Sequence, residues 1–179
     1  MKNGNLFTVL VQFITSKLTL QIKQALLPNK RESSLSDTDR RLFESLCQFI
    51  WIQGDPLPLV FDLEDEIYTK QGITLVNLKR LEALGLITFE PDGDIKKGFG
   101  KHTRLFYFGK PTKIGFKNNE NNHLDLGHVL LTHDGKKLAS TFKSIRNQQF
   151  YEYVINKWFQ EGLILSSIQI DKNHNYPIR

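Results

Sequence analysis

The stretch HVLLTHDGKKLAS, residues 128–140, changes character in its middle, and that change decides the fold. An apolar run typical of a buried strand ends at Leu131, and Thr132 follows it as a residue type that favours a helix N-cap. Thr132 and Asp134 can both serve the free amides of a first helical turn. The pattern therefore predicts that the chain leaves a sheet at Leu131 and enters a packing helix at His133.

Upstream of this stretch, the segment with the clearest boundaries is LVNLKRLEAL, residues 75–84. Thr74 is placed to cap it, and Gly85 can supply the left-handed residue that ends a helix. A strand is predicted directly afterwards, within GLITFEPDGD. Two earlier helices are predicted, one in residues 37–54 with Ser36 as N-cap and one in residues 59–72.

The region between residues 96 and 131 is predicted to be mainly β-structure. TRLFYFG and TKIGFK are typical of strands separated by a Gly-Lys-Pro turn, NNENNHLD is predicted to be a polar loop, and LGHVLL is predicted to be the last strand. The aromatic segment FYEYVINKWFQEG, residues 150–162, follows as a helix. Helix, turn, helix and strand thus precede a long β-region, residues 96–131, which we call the β-excursion.

Length and patterning predict one main domain. The 179 residues fit a domain at 36–165, an N-terminal amphipathic helical arm at 1–30 and a C-terminal tail at 166–179. Apolar residues recur every four positions in the arm, while Lys17 and Lys23 interrupt the run, so a membrane span is not expected.

Charge and cysteine content restrict the partners and the compartment. The net charge of +5 and the sequence pI near 9.3 favour anionic partners. Cys47 is the only cysteine, so no intrachain disulfide can form, and we expect a cytoplasmic protein in which Cys47 is buried and structural.

The order of these segments resembles the winged-helix class, in which a strand pair follows the third helix. The resemblance implies an α+β fold: a winged-helix-like domain with an enlarged β wing, preceded by the N-terminal amphipathic helix. Residues from about 35 to 162 also resemble the C-terminal part of an uncharacterised bacterial family of unknown function, through Leu84–Ile87 and Leu131–Ala139. That resemblance implies no established activity, and only the type of family suggests a role in stress or phage response.

The stretch from Lys96 to Lys117 is the most informative about a partner, because it contains seven basic residues, five aromatic residues and no acid. Basic groups release counterions from phosphates, and aromatic rings can stack on exposed bases. The alternative is that the aromatic residues form the buried face of a sheet and the lysines its wet face. Both interpretations remain open from the sequence.

The leading hypothesis is a non-catalytic nucleic-acid-binding protein, and it includes a regulatory role as one option. Its predicted contacts are three residues of the third helix and four of the β-excursion: Asn77, Lys79, Arg80, Lys96, Lys97, Lys101 and Arg104. The alternative is a dimerisation or protein-interaction module that uses the N-terminal helix and the aromatic helix, with a contact stripe of Tyr151, Val154, Ile155, Trp158 and Phe159.

An enzyme is the third and weakest hypothesis. His123, His128 and His133 recur every five residues, a spacing that matches neither a helix face nor a strand face, so we expect no metal site. The glycines of KKGFGK match no nucleotide-binding fingerprint, and no cofactor is expected.

Overall fold

The computed structural model describes residues 35–91 and 96–167. The chain divides into two units, Met1–Asp37 and Thr38–Arg179, and all the described strands belong to the second. The amphipathic helix predicted within residues 1–30 lies outside the described residues. Within the described ranges, no helix combines the length and the apolar character that crossing a membrane requires.

Five helices and nine strands lie within the described ranges. The helices are α1 (Asp37–Cys47), α2 (Glu66–Thr69), α3 (Leu75–Ala83), α4 (His133–Ala139) and α5 (Gln148–Gln160). The strands are β1 (Ile50–Gln53), β2 (Asp55–Pro58), β3 (Ile87–Phe89), β4 (Lys96–Phe99), β5 (His102–Tyr107), β6 (Lys110–Gly115), β7 (Asn122–Asp125), β8 (Val129–Leu131) and β9 (Ile164–Ser167).

The fold is mixed α+β with mainly antiparallel strands, as the sequence predicts at this level. Five strands form one sheet in the order β2-β1-β5-β6-β9, and every neighbouring pair is antiparallel. Two ribbons accompany it among the described residues, β3 with β8 and β4 with β7.

One face of the five-stranded sheet forms part of the core, and α5 covers it. Leu105, Tyr107 and Ile114 are completely buried, and Leu105 and Tyr107 alternate with exposed neighbours, as period-two patterning requires. From α5, Trp158 packs edge-on against Trp51 of β1 with ring centroids 5.0 Å apart. The opposite face of the sheet is left to solvent at Arg104, Phe106 and Lys113.

The Tyr107 hydroxyl links the five-stranded sheet to the residue after α1 and to the start of α5. Its hydroxyl donates to the carbonyl oxygen of Gln48, 2.8 Å away, and accepts from the backbone N–H of Asn147 at 3.2 Å. Asn147 in turn caps α5 by accepting from the backbone N–H of Phe150. Burial of the Tyr107 ring raises the pKa of its hydroxyl to about 12, so the hydroxyl keeps the proton that it donates.

The predicted strand and helix around residue 132 are confirmed, and the two segments of the family resemblance lie against each other. Ile87 pairs with Leu131, and Thr132 Oγ1 donates to the carbonyl oxygen of Gly85 at 2.7 Å. Thr132 Oγ1 also accepts from the backbone N–H of Gly135 at 3.0 Å, and this hydrogen bond is the predicted N-cap of α4. Thr132 therefore joins the end of α3 to the start of α4.

Helix α3 is also confirmed, but the two helices predicted before it are shorter than expected. Thr74 caps α3, and Gly85 has a φ of +73° after it. The first helix ends at Cys47 because Ile50–Gln53 forms a strand that pairs with β2. In residues 59–72 only Glu66–Thr69 is helical, and the backbone of Leu59 instead accepts a hydrogen bond from the Tyr68 hydroxyl at 3.0 Å.

Three predictions in the β-region were wrong in detail. The polar loop NNENNHLD contains strand β7, whose partner β4 lies more than 20 residues earlier, so the local sequence carries little sign of the pairing. The turn between β5 and β6 consists of Phe108 and Gly109, and Lys110 and Pro111 already belong to β6. LGHVLL is not the last strand, since β9 extends two residues into the predicted tail.

Candidate nucleic-acid interface

The solvent-facing side of the five-stranded sheet brings basic and apolar side chains together. We call this surface the outer face and define it by residues that alternate with the buried ones on β1, β5 and β6: Ile52, His102, Arg104, Phe106, Pro111 and Lys113. Cross-strand register places them on one side, because Ile52 is opposite Phe106, Phe106 is opposite Pro111, and Arg104 is opposite Lys113.

Arg104 and Lys113 are directly opposite each other on neighbouring strands. Two like charges in this position destabilise a sheet. Among the described residues neither side chain forms a salt bridge, and both are exposed. An anion placed between them would relieve the repulsion, and the next strand presents only the small, uncharged Ser166 opposite Lys113.

Phe106 supplies an aromatic side chain beside this charged pair. It is 38% exposed, whereas its neighbours in sequence, Leu105 and Tyr107, are completely buried. The aromatic side chains of this stretch divide between two environments: Tyr107 and Phe116 belong to the core, and Phe106 and Phe108 face solvent.

Phe108 adds backbone strain at the edge of the outer face. It has a φ of +48° in a two-residue hairpin loop with Gly109, where Asn or Gly is the usual residue. The left-handed conformation is unfavourable by about 1–2 kcal/mol for a residue with a side chain such as Phe. Such strain concentrates at functional sites.

The predicted lysines of the β-excursion lie at its turns and edges. The Lys97 Nζ donates to the carbonyl oxygen of Gln53 at 3.1 Å, and the Lys101 Nζ donates to that of Lys117 at 2.8 Å. Each ammonium group has three donors, so both retain capacity for a phosphate. Lys96 is the first residue of β4.

The other three predicted contacts lie on α3, where Lys79 and Arg80 are exposed and Asn77 is half-buried. The Asn77 amide donates to the carbonyl oxygen of Gly72 at 2.8 Å, and Arg80 forms an ion pair with Asp39, which is buried on α1. Lys79 is exposed, but Leu75 and Val76 are exposed beside it. Two of the three predicted side chains thus have structural partners, and the free surface of α3 is largely apolar.

An apolar pocket of about 430 Å³ adjoins the outer face. Its walls come from β1, the hairpin loop, α4 and the segment after α4, and include Ile50, Ile52, Phe108, Ala139 and Phe142. Lys136 and Lys143 also line it, and Lys136 is held by Asp55, whose Oδ1 lies 2.9 Å from its Nζ. That hydrogen bond lowers the pKa of the Asp55 carboxyl.

Cys47 lines the same pocket as a buried thiol. The side chain is 5% exposed, and burial raises the pKa of its thiol from 9.0 to about 12, with a further contribution from the charge of Glu44. The thiol is therefore protonated at neutral pH, and the reactive species is the thiolate.

The histidines are dispersed, and one of them, His128, lines a second, polar cavity. Asp62, Asp65, Asp125, His128 and Tyr153 line this cavity. Their polar atoms have local partners: Asp62 accepts from the backbone of Glu64, Asp125 accepts from the backbone of Gly127, and the Tyr153 hydroxyl donates to Asp65. Within residues 35–91 and 96–167, no group of three acidic, histidine or cysteine side chains converges as a metal would require.

The sequence could not identify the whole surface. Lys113 and Phe106 were recognisable as part of the basic, aromatic stretch, but only the register of β5 and β6 places them beside Arg104. The far wall of the pocket, with Phe142 and Lys143, comes from a segment about 90 residues after Ile52 and carries no local signal.

No protein-family model, curated protein or solved structure matches the chain. The resemblance carried by Leu84–Ile87 and Leu131–Ala139 therefore remains a prediction from the sequence.

Proposed function

We propose that this protein is a non-catalytic nucleic-acid-binding protein whose main contact surface is the outer face. The observation that carries the proposal is the like-charge pair Arg104 and Lys113, exposed in register on neighbouring strands. A phosphate between the two side chains would convert a repulsion into two attractive contacts. Lys97 and Lys101 would add phosphate contacts at the ends of the sheet.

The arrangement of elements supports a winged-helix-like core as part of this proposal. Its members would be α1, α2, α3, β3 and β8, with the isolated parallel bridge between Val60 and Gly127 as the additional strand contact. The region from β4 to β7 would then be the enlarged wing. In this protein the wing, more than α3, offers positive charge to a ligand.

The experiment is a fluorescence-anisotropy titration with labelled duplex and single-stranded DNA over a range of salt concentrations. The test variant is Arg104→Ala with Lys113→Ala. The matched control is Lys70→Ala with Lys79→Ala, which removes the same charge from the residue after α2 and from α3. Each lost phosphate contact flattens the salt dependence by about 0.9 for duplex and about 0.7 for single strands.

We expect the outer-face variant to bind more weakly and with a flatter salt slope than both the native protein and the control. If both variants lose affinity and salt dependence equally, the phosphate contacts are not concentrated on the outer face, and α3 becomes a candidate contact surface again. If the native protein binds neither duplex nor single-stranded DNA at low salt, the proposal is wrong.

A protein-interaction module is the second candidate. Val76 is 76% exposed, Phe159 is 72% exposed and Ile164 is 70% exposed, which is unusual for large apolar side chains. Of the stripe predicted on α5, however, Val154 and Trp158 are completely buried in their own core. Only Phe159 would remain as a prominent contact from that stripe.

A further inference from the structure

We infer that the nucleic acid bound by this protein is single-stranded and that one unstacked base enters the apolar pocket. The inference rests on the proposed function and names the form of its ligand. It depends on three features of the described residues: the width of the outer face, its continuity with the pocket, and the polar groups in the pocket wall.

The width of the outer face argues against a duplex. The outer face spans β1, β5 and β6, three neighbouring strands, whereas the major groove of a duplex is about 12 Å wide and admits one helix or a two-stranded ribbon. A duplex could therefore touch this face only through its phosphates. A single strand can lay its bases flat on the sheet, where Phe106 offers a ring for stacking.

Ile52 connects the outer face to the pocket. On β1 it is opposite Phe106, and its side chain also lines the pocket. Phe108, two residues after Phe106, stands on the pocket wall in its strained conformation. When one base of a single-stranded nucleic acid stacks on Phe106, the pocket is thus the next apolar site for a neighbouring base.

The pocket has the chemistry that a base requires. Its walls are largely apolar, and its volume of about 430 Å³ falls within the usual range of about 300–1,000 Å³ for ligand pockets. The Ser144 hydroxyl is buried in the wall and has no hydrogen-bond partner within the described part of the chain. This hydroxyl is an unsatisfied polar group beside the apolar side chains, and Lys143 lines the same wall, where it can meet the flanking phosphate.

The test compares a single-stranded 20-mer with the corresponding duplex at one salt concentration, with three variants and one matched control variant. Phe106→Ala removes the stacking ring. Ser140→Trp places a large ring in the pocket from an exposed position on its wall, and Thr141→Trp is its matched control because Thr141 does not line the pocket. Ser144→Ala, a smaller change, tests the pocket if Ser140→Trp fails to fold.

We expect the native protein to prefer the single strand by about tenfold or more, since each stacked base contributes about 1–3 kcal/mol. Phe106→Ala and Ser140→Trp should each remove most of that preference, Ser144→Ala part of it, and Thr141→Trp none. Binding of duplex and single strand with equal affinity, unchanged by the pocket variants, would overturn this inference and leave the proposed function standing. Absence of binding to either form would overturn both.

Discussion

Gly135 lies where two segments of backbone meet, and only a residue without a side chain fits there. A Cβ at this position would lie 1.9 Å from the carbonyl oxygen of Leu86. In an ordinary helix interior, replacement of Gly by Ala stabilises by about 1 kcal/mol. The close approach to backbone reverses that sign, because neither the strand nor the helix can move without breaking the contacts of Thr132.

We therefore expect Gly135→Ala to lower the free energy of unfolding by about 2 kcal/mol or more, within or above the usual range for overpacking. Urea denaturation of this variant and of Gly98→Ala measures the effect, since the nearest atoms to a Cβ at Gly98 are 4.0 Å away. A stabilised Gly135→Ala would show that the junction of α3 and α4 is looser than described.

Cys47 makes stability depend on pH in the alkaline range. The folded protein keeps the thiol proton up to a pKa of about 12, whereas the unfolded chain releases it near 9.0. Because the unfolded state loses the proton first, stability falls as pH rises from about 9 towards 12.

At pH 10 this effect amounts to about 1 kcal/mol relative to pH 8. Cys47→Ala should remove that part of the decline, so the stability difference between the variant and the native protein should narrow as pH rises. Urea midpoints at the two pH values provide the measurement. Parallel declines in both proteins would mean that the thiol is not protected by burial.

Among the elements, α4 depends on its cap because it has only seven residues. Thr132 Oγ1 accepts from Gly135 and donates to Gly85, so one hydroxyl serves both α4 and the end of α3. We expect Thr132→Ala to lower the free energy of unfolding by about 1–2 kcal/mol. Thr132→Ser keeps the hydroxyl and should retain most of the stability, and equal losses in the two variants would assign the effect to the methyl group instead.

Elements defined by local signals were predictable, and elements defined by distant partners were not. Capping residues and a terminal glycine set the limits of α3, and Thr132 set the start of α4. By contrast, β7 and β9 are short strands whose pairing partners lie far away in sequence, and the apolar residues after Cys47 fit a helix and a strand equally well. The same holds for the candidate interface. Its basic character could be predicted from the sequence, but the position of Arg104 opposite Lys113 follows only from the register of β5 and β6.

In the second unit of the chain, the two faces of the five-stranded sheet have different roles. Helix α5 covers the inner face through Trp158, Val154 and Phe150, all completely buried. The outer face has basic residues next to Phe106, and the apolar pocket adjoins it at Ile52. Burying one face of the sheet stabilises the fold, and leaving the other to solvent makes it available to a ligand.

The exposed apolar side chains outside that face determine what we expect of self-association. Val76 lies on α3, Ile145 precedes α5, Phe159 lies near the end of α5 and Ile164 begins β9. A stable homodimer needs a contiguous interface of about 1,200 Å² or more in total, with several anchoring side chains together. Leu75 is exposed next to Val76, and Phe159 and Ile164 are close in sequence. Within the described residues, each of these pairs is too small an anchor for a dimer.

We accordingly expect a monomer at micromolar concentrations, measured by light scattering over a concentration series, and no change of mass in Phe159→Ser. A mass that rises with concentration in the native protein and stays monomeric in Phe159→Ser would instead assign the end of α5 to a dimer interface. That outcome would favour the protein-interaction module. It would leave the outer face, on the far side of the sheet from α5, still open to nucleic acid.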